Sequence, residues 1–300
     1  MGFWEKLTGQ KFKIPDDEYA DLLHRYTRDL TQLDKAGKFD PVTGRDDEMD
    51  KMLLILLQRL RKNVLLLGGA GVGKTALFVG LAQYINHNRV PAMLAGATVI
   101  EIEMSMIGAG SSERSILDGR LIPIIRGAAE RNATRACPPI IFCIDEFHQL
   151  SVAFKNSASA GVADMMKPYL TMGELYIVAA TTREEYEDYV RLDPAVDRRF
   201  QKIYLEQPDV ALSIFIVKNM KKNFEDYYNI TIPDQHVERI CRLTERFIRN
   251  RNNPDKAILA LDQACARCVK DGDAKVLDIV SVNRAVAADA GIDPAAIEGY

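Results

Sequence analysis

The sequence lacks a long apolar run, an excess of basic residues and a histidine cluster. No run of about 18 apolar residues occurs, so we predict no membrane-spanning helix. The formal net charge of −3 gives no basic field for nucleic acid, and we expect no DNA or RNA partner. The four histidines are scattered, so they predict neither a metal site nor a catalytic triad.

Cysteines are few, and their spacing fits no disulfide framework. The chain has five, an odd number, and Cys265 and Cys268 form a lone C-x-x-C pair. A single pair inside a helical pattern favours buried thiols in a reducing compartment over a metal site. The first seven residues carry acid and base and lack the apolar core of a secretory signal. We therefore expect a cytoplasmic protein.

One glycine-rich segment carries most of the functional information. Residues 68–75 read GGAGVGKT and fit the pattern G-x-x-x-x-G-K-[ST]. An apolar run with the length of a buried strand, Asn63–Leu67, precedes the segment, and helical periodicity at 76–85 follows it. A strand, a glycine loop and a helix in this order form a cradle for phosphate. The predicted nucleotide-binding residues are Gly69, Ala70, Gly71, Val72, Gly73, Lys74, Thr75 and Ala76.

Two of these side chains have distinct predicted roles, and a second strand supplies carboxylates. Lys74 would reach the β- and γ-phosphates, and the Thr75 hydroxyl would hold Mg²⁺. The apolar run Ile140–Ile144 ends in Asp145, which can hold the water shell of Mg²⁺, and Glu146, which can polarise an attacking water. After a phosphate loop, this pair indicates ATP hydrolysis rather than a merely solvated strand end.

Further candidates for catalysis follow the next strand. Thr181 and Thr182 end an apolar run, and a hydroxyl there could position the same water. Arg198 and Arg199 come shortly after Pro194, and guanidinium groups neutralise charge that develops on a transferred phosphoryl group. Spacing alone leaves open whether this pair acts on its own site or on a neighbour's, or forms surface ion pairs.

Elements alternate along the first two thirds of the chain and then become all helical. Strands are predicted at 63–67, 98–102, 140–144, 175–179 and 202–205. Helices are predicted at 16–36, 210–229, 233–247, 254–269 and 281–290. The alternation favours a parallel sheet with helices on both faces. We predict an N-terminal helical segment at 1–39, a nucleotide-binding α/β domain at 40–207 and a helical domain at 208–300.

The first 14 residues form a separate short piece. Phe3, Trp4 and Leu7 could share one face of a helical turn, with charged residues opposite. Our favoured interpretation is a frayed end or a staple onto the body of the protein. The alternative is a weak contact with a membrane surface through residues 1–14.

Taken together, the motifs resemble the first AAA+ module of the Clp-type unfoldases and disaggregases. The resemblance runs from about Tyr26 to the last residue. It includes Walker A at 71–75, Walker B at 144–148, sensor 1 at 180–182 and an arginine-finger segment at 193–200. Further matches lie at 26–33, 40–45, 166–168, 173–175 and 254–258, with Asp262.

The resemblance implies a fold, a ligand and an assembly. The fold would be a P-loop AAA+ parallel-sheet domain followed by an all-helical lid, and the ligands ATP and Mg²⁺. Val42 and Thr43 would border the adenine, Thr182 would be the sensor, and Arg198 and Arg199 would act on the adjacent subunit. The chain would hydrolyse ATP as a homo-oligomeric ring, with a hexamer favoured, and remodel a protein partner as a chaperone does.

Three departures from the family pattern keep an alternative open. Glu113 stands where the family's pore loop presents an aromatic residue, and Asp164 stands where Asn is common. The family's adaptor-binding domain, coiled-coil insert and second module have no counterpart in these 300 residues. The alternative is a nucleotide-switched scaffold of a larger secretion or membrane-associated machine that threads no polypeptide.

Overall fold

A computed structural model describes most of the chain as two compact units. The described residues are 3–9, 11–104, 107, 117–150, 169–170, 173–271 and 275–300. The first unit comprises Met1–Phe39, Asp46–Leu67 and Lys74–Tyr204, and the second comprises Asp40–Arg45, Gly68–Gly73 and Leu205–Tyr300. The expectations for Glu113, Asp164 and residues 166–168 lie outside the described residues. Within the described part, no helix combines the length and the apolarity needed to cross a membrane.

A six-stranded sheet organises the first unit. Its strands are β1 (Thr27–Asp29), β2 (Asn63–Leu67), β3 (Thr98–Ile102), β4 (Ile140–Ile144), β5 (Tyr176–Thr181) and β6 (Phe200–Tyr204). Their order across the sheet is β1-β3-β4-β5-β2-β6, and the last five are parallel to one another. Every residue of β2, β4 and β5 is buried, which explains their continuous apolar sequences. The predicted parallel sheet is confirmed.

The edge strand β1 was not expected, and the single helix predicted at 16–36 is wrong. A helix at Asp16–Tyr26 ends where the Thr27 hydroxyl donates to the Leu23 carbonyl at 2.6 Å. β1 then pairs antiparallel with β3, and Arg28 forms ion pairs at 3.3 Å with Glu101 and Glu103. Sheet pairing at an open edge therefore overrides the local helix propensity of this segment.

Helices cover the sheet of the first unit. They lie at Phe3–Thr8, Asp16–Tyr26, Leu30–Lys35, Asp46–Leu56, Lys74–Asn86, Ile122–Ala133, Arg183–Glu185 and Pro194–Asp197. Shorter 3₁₀ or π turns occupy Ala92–Leu94, Leu117–Leu121 and Tyr186–Val190. Fully buried side chains such as Leu65, Phe142 and Ile177 form the core between these layers and fix the positions of the strand ends.

The N-terminal segment is fastened to the helix at Ile122–Ala133. Arg131, which is 1% exposed, donates to Asp16 Oδ1 at 2.7 Å. Its guanidinium also lies over the rings of Phe12 and Tyr19, at 4.5 and 4.1 Å from their centroids. Of these partners only Phe12 belongs to residues 1–14, and its contact with the buried Arg131 supports the staple interpretation of that piece.

The second unit contains the predicted helical region. Its helices lie at Val210–Tyr228, Asp234–Phe247, Asp255–Asp271, Ile279–Ala290 and Ala295–Glu298. Asp209 and Asp278 cap two of them, since their carboxylates accept the N–H groups of Leu212 and Ser281 at 2.8 and 2.7 Å. Cys241, Cys265 and Cys268 are buried in the core of this unit, as expected for structural thiols.

Candidate functional site

In the first unit, two side chains predicted to hold Mg²⁺ lie in contact. Thr75 stands in the first turn of the helix that follows the phosphate loop, and Asp145 stands directly after β4. The Thr75 hydroxyl donates to Asp145 Oδ2 at 2.6 Å. A hydroxyl and a carboxylate oxygen are hard donors of the kind that Mg²⁺ prefers, so the pair fits this ion. Lys74 is buried, with 7% of its surface exposed.

Glu146 adopts a backbone conformation that is rare for its residue type. Its φ is +49°, in the left-handed region, and its N–H donates to Asp145 Oδ1 at 2.9 Å. The next N–H, of Phe147, is held by the Ala180 carbonyl at 2.9 Å, which links this turn to β5. Burial raises the pKa of Glu146, and the charges of Glu185 and Asp145 raise it further. Strain and a raised pKa together are typical of a catalytic carboxylate.

A histidine that sequence reasoning missed connects this carboxylate to β5. His148 Nδ1 lies 3.1 Å from Thr181 Oγ1, 3.1 Å from Glu185 Oε2 and 3.5 Å from Glu146 Oε2. Thr181 donates its own proton to Glu185 Oε2 at 3.0 Å. Nδ1 therefore faces three acceptors, which assigns the proton to Nδ1. Because one N–H serves one acceptor well, Glu146 and Glu185 compete for His148.

The predicted sensor Thr182 is also part of a local capping arrangement. It is the N-cap of the short helix Arg183–Glu185: its hydroxyl accepts the Glu185 N–H at 3.2 Å, and its own N–H donates to Glu185 Oε2 at 3.1 Å. Although burial raises the pKa of Glu185, hydrogen bonds from Thr182 and Thr181 hold it below its usual value. The cap uses Thr182 as an acceptor, which leaves its hydroxyl proton for another partner.

The predicted arginine pair follows the short helix Pro194–Asp197. Asp193 caps this helix by accepting the Ala195 and Val196 N–H groups at 2.9 and 3.3 Å. Arg198 is exposed, and within the described chain its guanidinium makes no hydrogen bond or ion pair, including with Asp145 or Glu146. Arg199 is half-buried. An exposed guanidinium with no partner among the described residues suits a residue that acts on a neighbour.

The phosphate loop Gly68–Gly73 and the segment Asp40–Arg45 belong to the second unit. Arg45 is 8% exposed and joins the two stretches, since its Nη2 donates to the Val72 carbonyl at 2.7 Å and the Glu206 carbonyl at 3.0 Å. The buried Thr43 Oγ1 has no hydrogen-bond partner in the described protein. Buried hydroxyls are normally paired, so this oxygen suits a ligand that supplies the missing partner, such as an adenine base.

Two polar residues of the helical unit lie against the phosphate loop, and sequence reasoning gave neither a role. The Asn252 side-chain amide donates to the Ala70 carbonyl at 2.9 Å. Gly71 has φ +75°, and a Cβ there would lie 2.7 Å from the Cβ of Asp255. Glycine is therefore required at 71 for both the backbone conformation and the close approach. The sequence signal that could have found them is the family match at 254–258, which contains Asp255 and begins directly after Asn252 and Asn253.

Comparison with known proteins agrees with this geometry. Residues 64–207 match the model of the ATPase family associated with various cellular activities (AAA), and residues 209–293 match an AAA lid domain. The ClpB chaperone of Vibrio cholerae is 37% identical over 268 residues, which cover 89% of this chain and 31% of that protein. This chain belongs to the Clp-type AAA+ family. The ClpB chaperone of Staphylococcus aureus strain COL is 38% identical over 91% of this chain and 31% of its own length.

Solved structures of Clp-type AAA+ proteins share the fold. A closed-state reconstruction of Hsp104 with ATPγS and FITC casein has a TM-score of 0.81 at 30% identity, covering 90% of this chain and 45% of that one. An Hsp104–ADP complex of S. cerevisiae has a TM-score of 0.80, with the same identity and coverage. The chain thus spans about a third of the length of the ClpB relatives and under half of Hsp104.

Proposed function

We propose that this Clp-type AAA+ chain hydrolyses ATP to remodel a protein partner as part of an oligomeric ring. The observation that carries the proposal is the contact of Thr75 with Asp145 beside the strained Glu146. Thr75 lies in the first turn of the helix after the phosphate loop, and Asp145 and Glu146 directly follow β4. Metal ligands and a base thus come together, as a hydrolytic site needs. The identity to ClpB supports protein remodelling rather than the static scaffold.

Each side chain has a part that follows from its position. Backbone N–H groups of Gly69, Gly71 and Gly73 would hold phosphate oxygens, with Lys74 as the charged partner. Thr75 and Asp145 would hold Mg²⁺, which supplies positive charge to the phosphate oxygens when bound. Glu146 Oε2 would take a proton from the attacking water, and its raised pKa favours that transfer.

An oligomeric ring would give roles to the two arginines. The free guanidinium of Arg198 supports action on the ATP of an adjacent subunit, with Arg199 beside it, and a hexamer is the favoured ring. Hsp104, a structural neighbour, was observed with casein, which suits a protein substrate for this chain as well. We expect no nucleic-acid partner and a cytoplasmic location. Contact of residues 1–14 with a membrane surface stays a prediction.

A subunit-mixing experiment tests this function. Glu146→Gln should bind ATP and lose turnover, and the double variant Arg198→Ala with Arg199→Ala should also bind ATP with little turnover. Mixed together, the two inactive proteins should recover part of the activity, because some interfaces then join an intact Glu146 to intact arginines. Full wild-type activity from a diluted monomer, or no recovery on mixing, would show that the arginines do not act in trans.

Protein remodelling needs its own readout. ATP-dependent loss of fluorescence from a tagged, folded reporter should be measured with the wild type and with Glu146→Gln. We expect loss with the wild type only. An active ATPase that leaves every tested substrate folded would favour the scaffold alternative.

A further inference from the structure

A cavity of about 450 Å³ lies in the first unit at the amino ends of β2, β4 and β5. The same three strands carry the nucleotide-site residues at their opposite, carboxyl ends. Its lining comes from the segments before the strands: Leu57, Gln58, Arg59, Lys62, Met93, Asn132, Ala133, Arg135, Cys137, Pro139, Gly173, Glu174 and Tyr176. None of these residues has a part in the proposed ATPase reaction. The volume is within the range of about 300–1,000 Å³ typical of small-molecule sites.

Specific contacts hold the walls of this cavity in place. Asn132 donates to the carbonyls of Ile140 and Glu174 at 3.1 and 3.0 Å, and its Oδ1 accepts the Ile140 N–H at 2.8 Å. Gly173 has φ +68°, and a Cβ there would lie 2.6 Å from the Arg59 carbonyl oxygen. The cavity is therefore preformed, which lowers the entropy that a ligand must lose on binding.

The charge on the wall is unbalanced. Lys62 is 7% exposed, and its Nζ donates to the Tyr176 hydroxyl at 2.7 Å and lies 4.2 Å from that ring's centroid. In the part of the chain that the structure describes, no carboxylate lies within 4.0 Å of Lys62, Arg59 or Arg135. Burying an ammonium group is costly without a counter-ion, and a phenol supplies only a neutral acceptor.

Among the described residues, the lining thus holds three cations against the one carboxylate of Glu174, an excess of two positive charges. We propose that this cavity binds a small polyanion through carboxylate or phosphate groups, with Lys62 as the buried anchor and Arg59 and Arg135 at the rim. Two ammonium donors of Lys62 remain for the anion after the bond to Tyr176. Arginine forks suit the planar or tetrahedral oxygens of such groups.

Cys137 offers a readout that does not depend on ATP hydrolysis. It lines the cavity and is partly exposed, whereas the other four cysteines are buried. Its alkylation rate should be measured in the full chain with citrate, pyrophosphate or hexaglutamate, at constant ionic strength and with nucleotide present to fill the phosphate loop. At about ten times the Kd, a bound anion should slow alkylation about tenfold, with saturation.

Variants tie that protection to the cavity. The double variant Arg59→Gln with Arg135→Gln alters two exposed side chains, so it should fold and lose the protection, as should Lys62→Met. Arg61→Gln removes a neighbouring exposed charge that does not line the cavity, and it should keep the protection.

Stronger protection by hexaglutamate than by citrate or pyrophosphate would assign the anion to an acidic protein segment. The reverse would assign it to a free small molecule. Absence of protection by all three probes, or protection that survives in both cavity variants, would overturn the proposal.

Discussion

Asn63 and Asn132, at the amino ends of β2, β4 and β5, differ from Glu146, at the carboxyl end of β4, in what their side chains contact. At the amino ends, Asn63 and Asn132 are bonded to the backbone: Asn63 Oδ1 accepts the Ile177 N–H at 3.0 Å, and Asn132 makes three such bonds. At the carboxyl ends, Glu146 lies on a strained turn, with its Oε2 3.5 Å from His148 Nδ1, which lies 3.1 Å from Glu185 Oε2. Bonds to backbone groups fix the sheet, whereas the Glu146 carboxylate is not tied to the backbone by any such bond in the described part of the chain.

This contrast separates polar groups that stabilise the fold from polar groups that take part in catalysis. A buried group whose partners are all backbone atoms has one stable arrangement, so its removal should lower stability. The Glu146 carboxylate lies 3.5 Å from a histidine nitrogen that is closer to Glu185, so its removal should change turnover more than stability. Four variants test that distinction, ordered by the size of the effect that we expect.

The largest effect is expected at Glu146. Glu146→Gln should lower kcat by about 10²–10⁴-fold, because the water loses its general base. ATP affinity and the free energy of unfolding should change little, since the amide keeps the size of the carboxylate and the same backbone turn. Steady-state hydrolysis, nucleotide titration and denaturant unfolding measure the three quantities. Wild-type turnover would remove Glu146 from the proposed mechanism.

Asn132 should behave in the opposite way. Asn132→Ala leaves the Ile140 N–H and two carbonyls without their partner, so it should cost about 1–3 kcal/mol of stability. Turnover per folded molecule should stay the same. Chemical denaturation and an ATPase assay of the folded fraction measure both, with Asn250→Ala at an exposed position as the control. If Asn132→Ala lowered kcat without lowering the free energy of unfolding, Asn132 would not have the purely structural role that we assign to it.

His148 should affect turnover moderately. His148→Ala removes the N–H near Glu146, and we expect about a tenfold fall in kcat, equivalent to about 1.4 kcal/mol, with KM for ATP unchanged. His148→Asn can still donate a hydrogen bond and should recover part of the loss. His87→Ala, at an exposed site, is the matched control. An equal loss of kcat in the Ala and Asn variants would mean that the His148 imidazole only fills space and does not position Glu146.

The smallest effect is a shift in pH dependence. Burial is the largest cause of the raised pKa of Glu146, and the charge of Glu185 is the second. Glu185→Gln removes that charge and should therefore lower the pKa of Glu146. A base must be deprotonated, and a lower pKa keeps it so at lower pH. The acidic limb of the kcat profile should therefore move to lower pH. Glu184→Gln, on an exposed neighbour, should leave the limb in place. A shift to higher pH would contradict the assigned interaction.

Local sequence patterns were enough to single out the candidate site residues that lie within one short stretch of the chain. The glycine pattern before Lys74 and the two acids after an apolar strand singled out Thr75 and Asp145, which the structure places in contact. Their role as Mg²⁺ ligands stays a prediction. The helix expected at 16–36 failed, because nothing near Thr27 in the sequence says that the edge of β3 is open for pairing. The predicted domain borders and the role of Thr182 stay predictions.

The amino-acid sequence alone was enough to predict the order along the chain of the five parallel strands, the glycine-rich loop and the Asp145–Glu146 pair. Periodicity and short spacing are local properties of the chain. Tertiary structure was needed to bring His148 and Glu185, 37 positions apart in the chain, together beside Glu146. It also buries Lys62 with no carboxylate within 4.0 Å among the described residues. Both depend on β5 lying between β4 and β2 in the sheet. That neighbourhood is fixed by packing of distant segments, which no local pattern encodes.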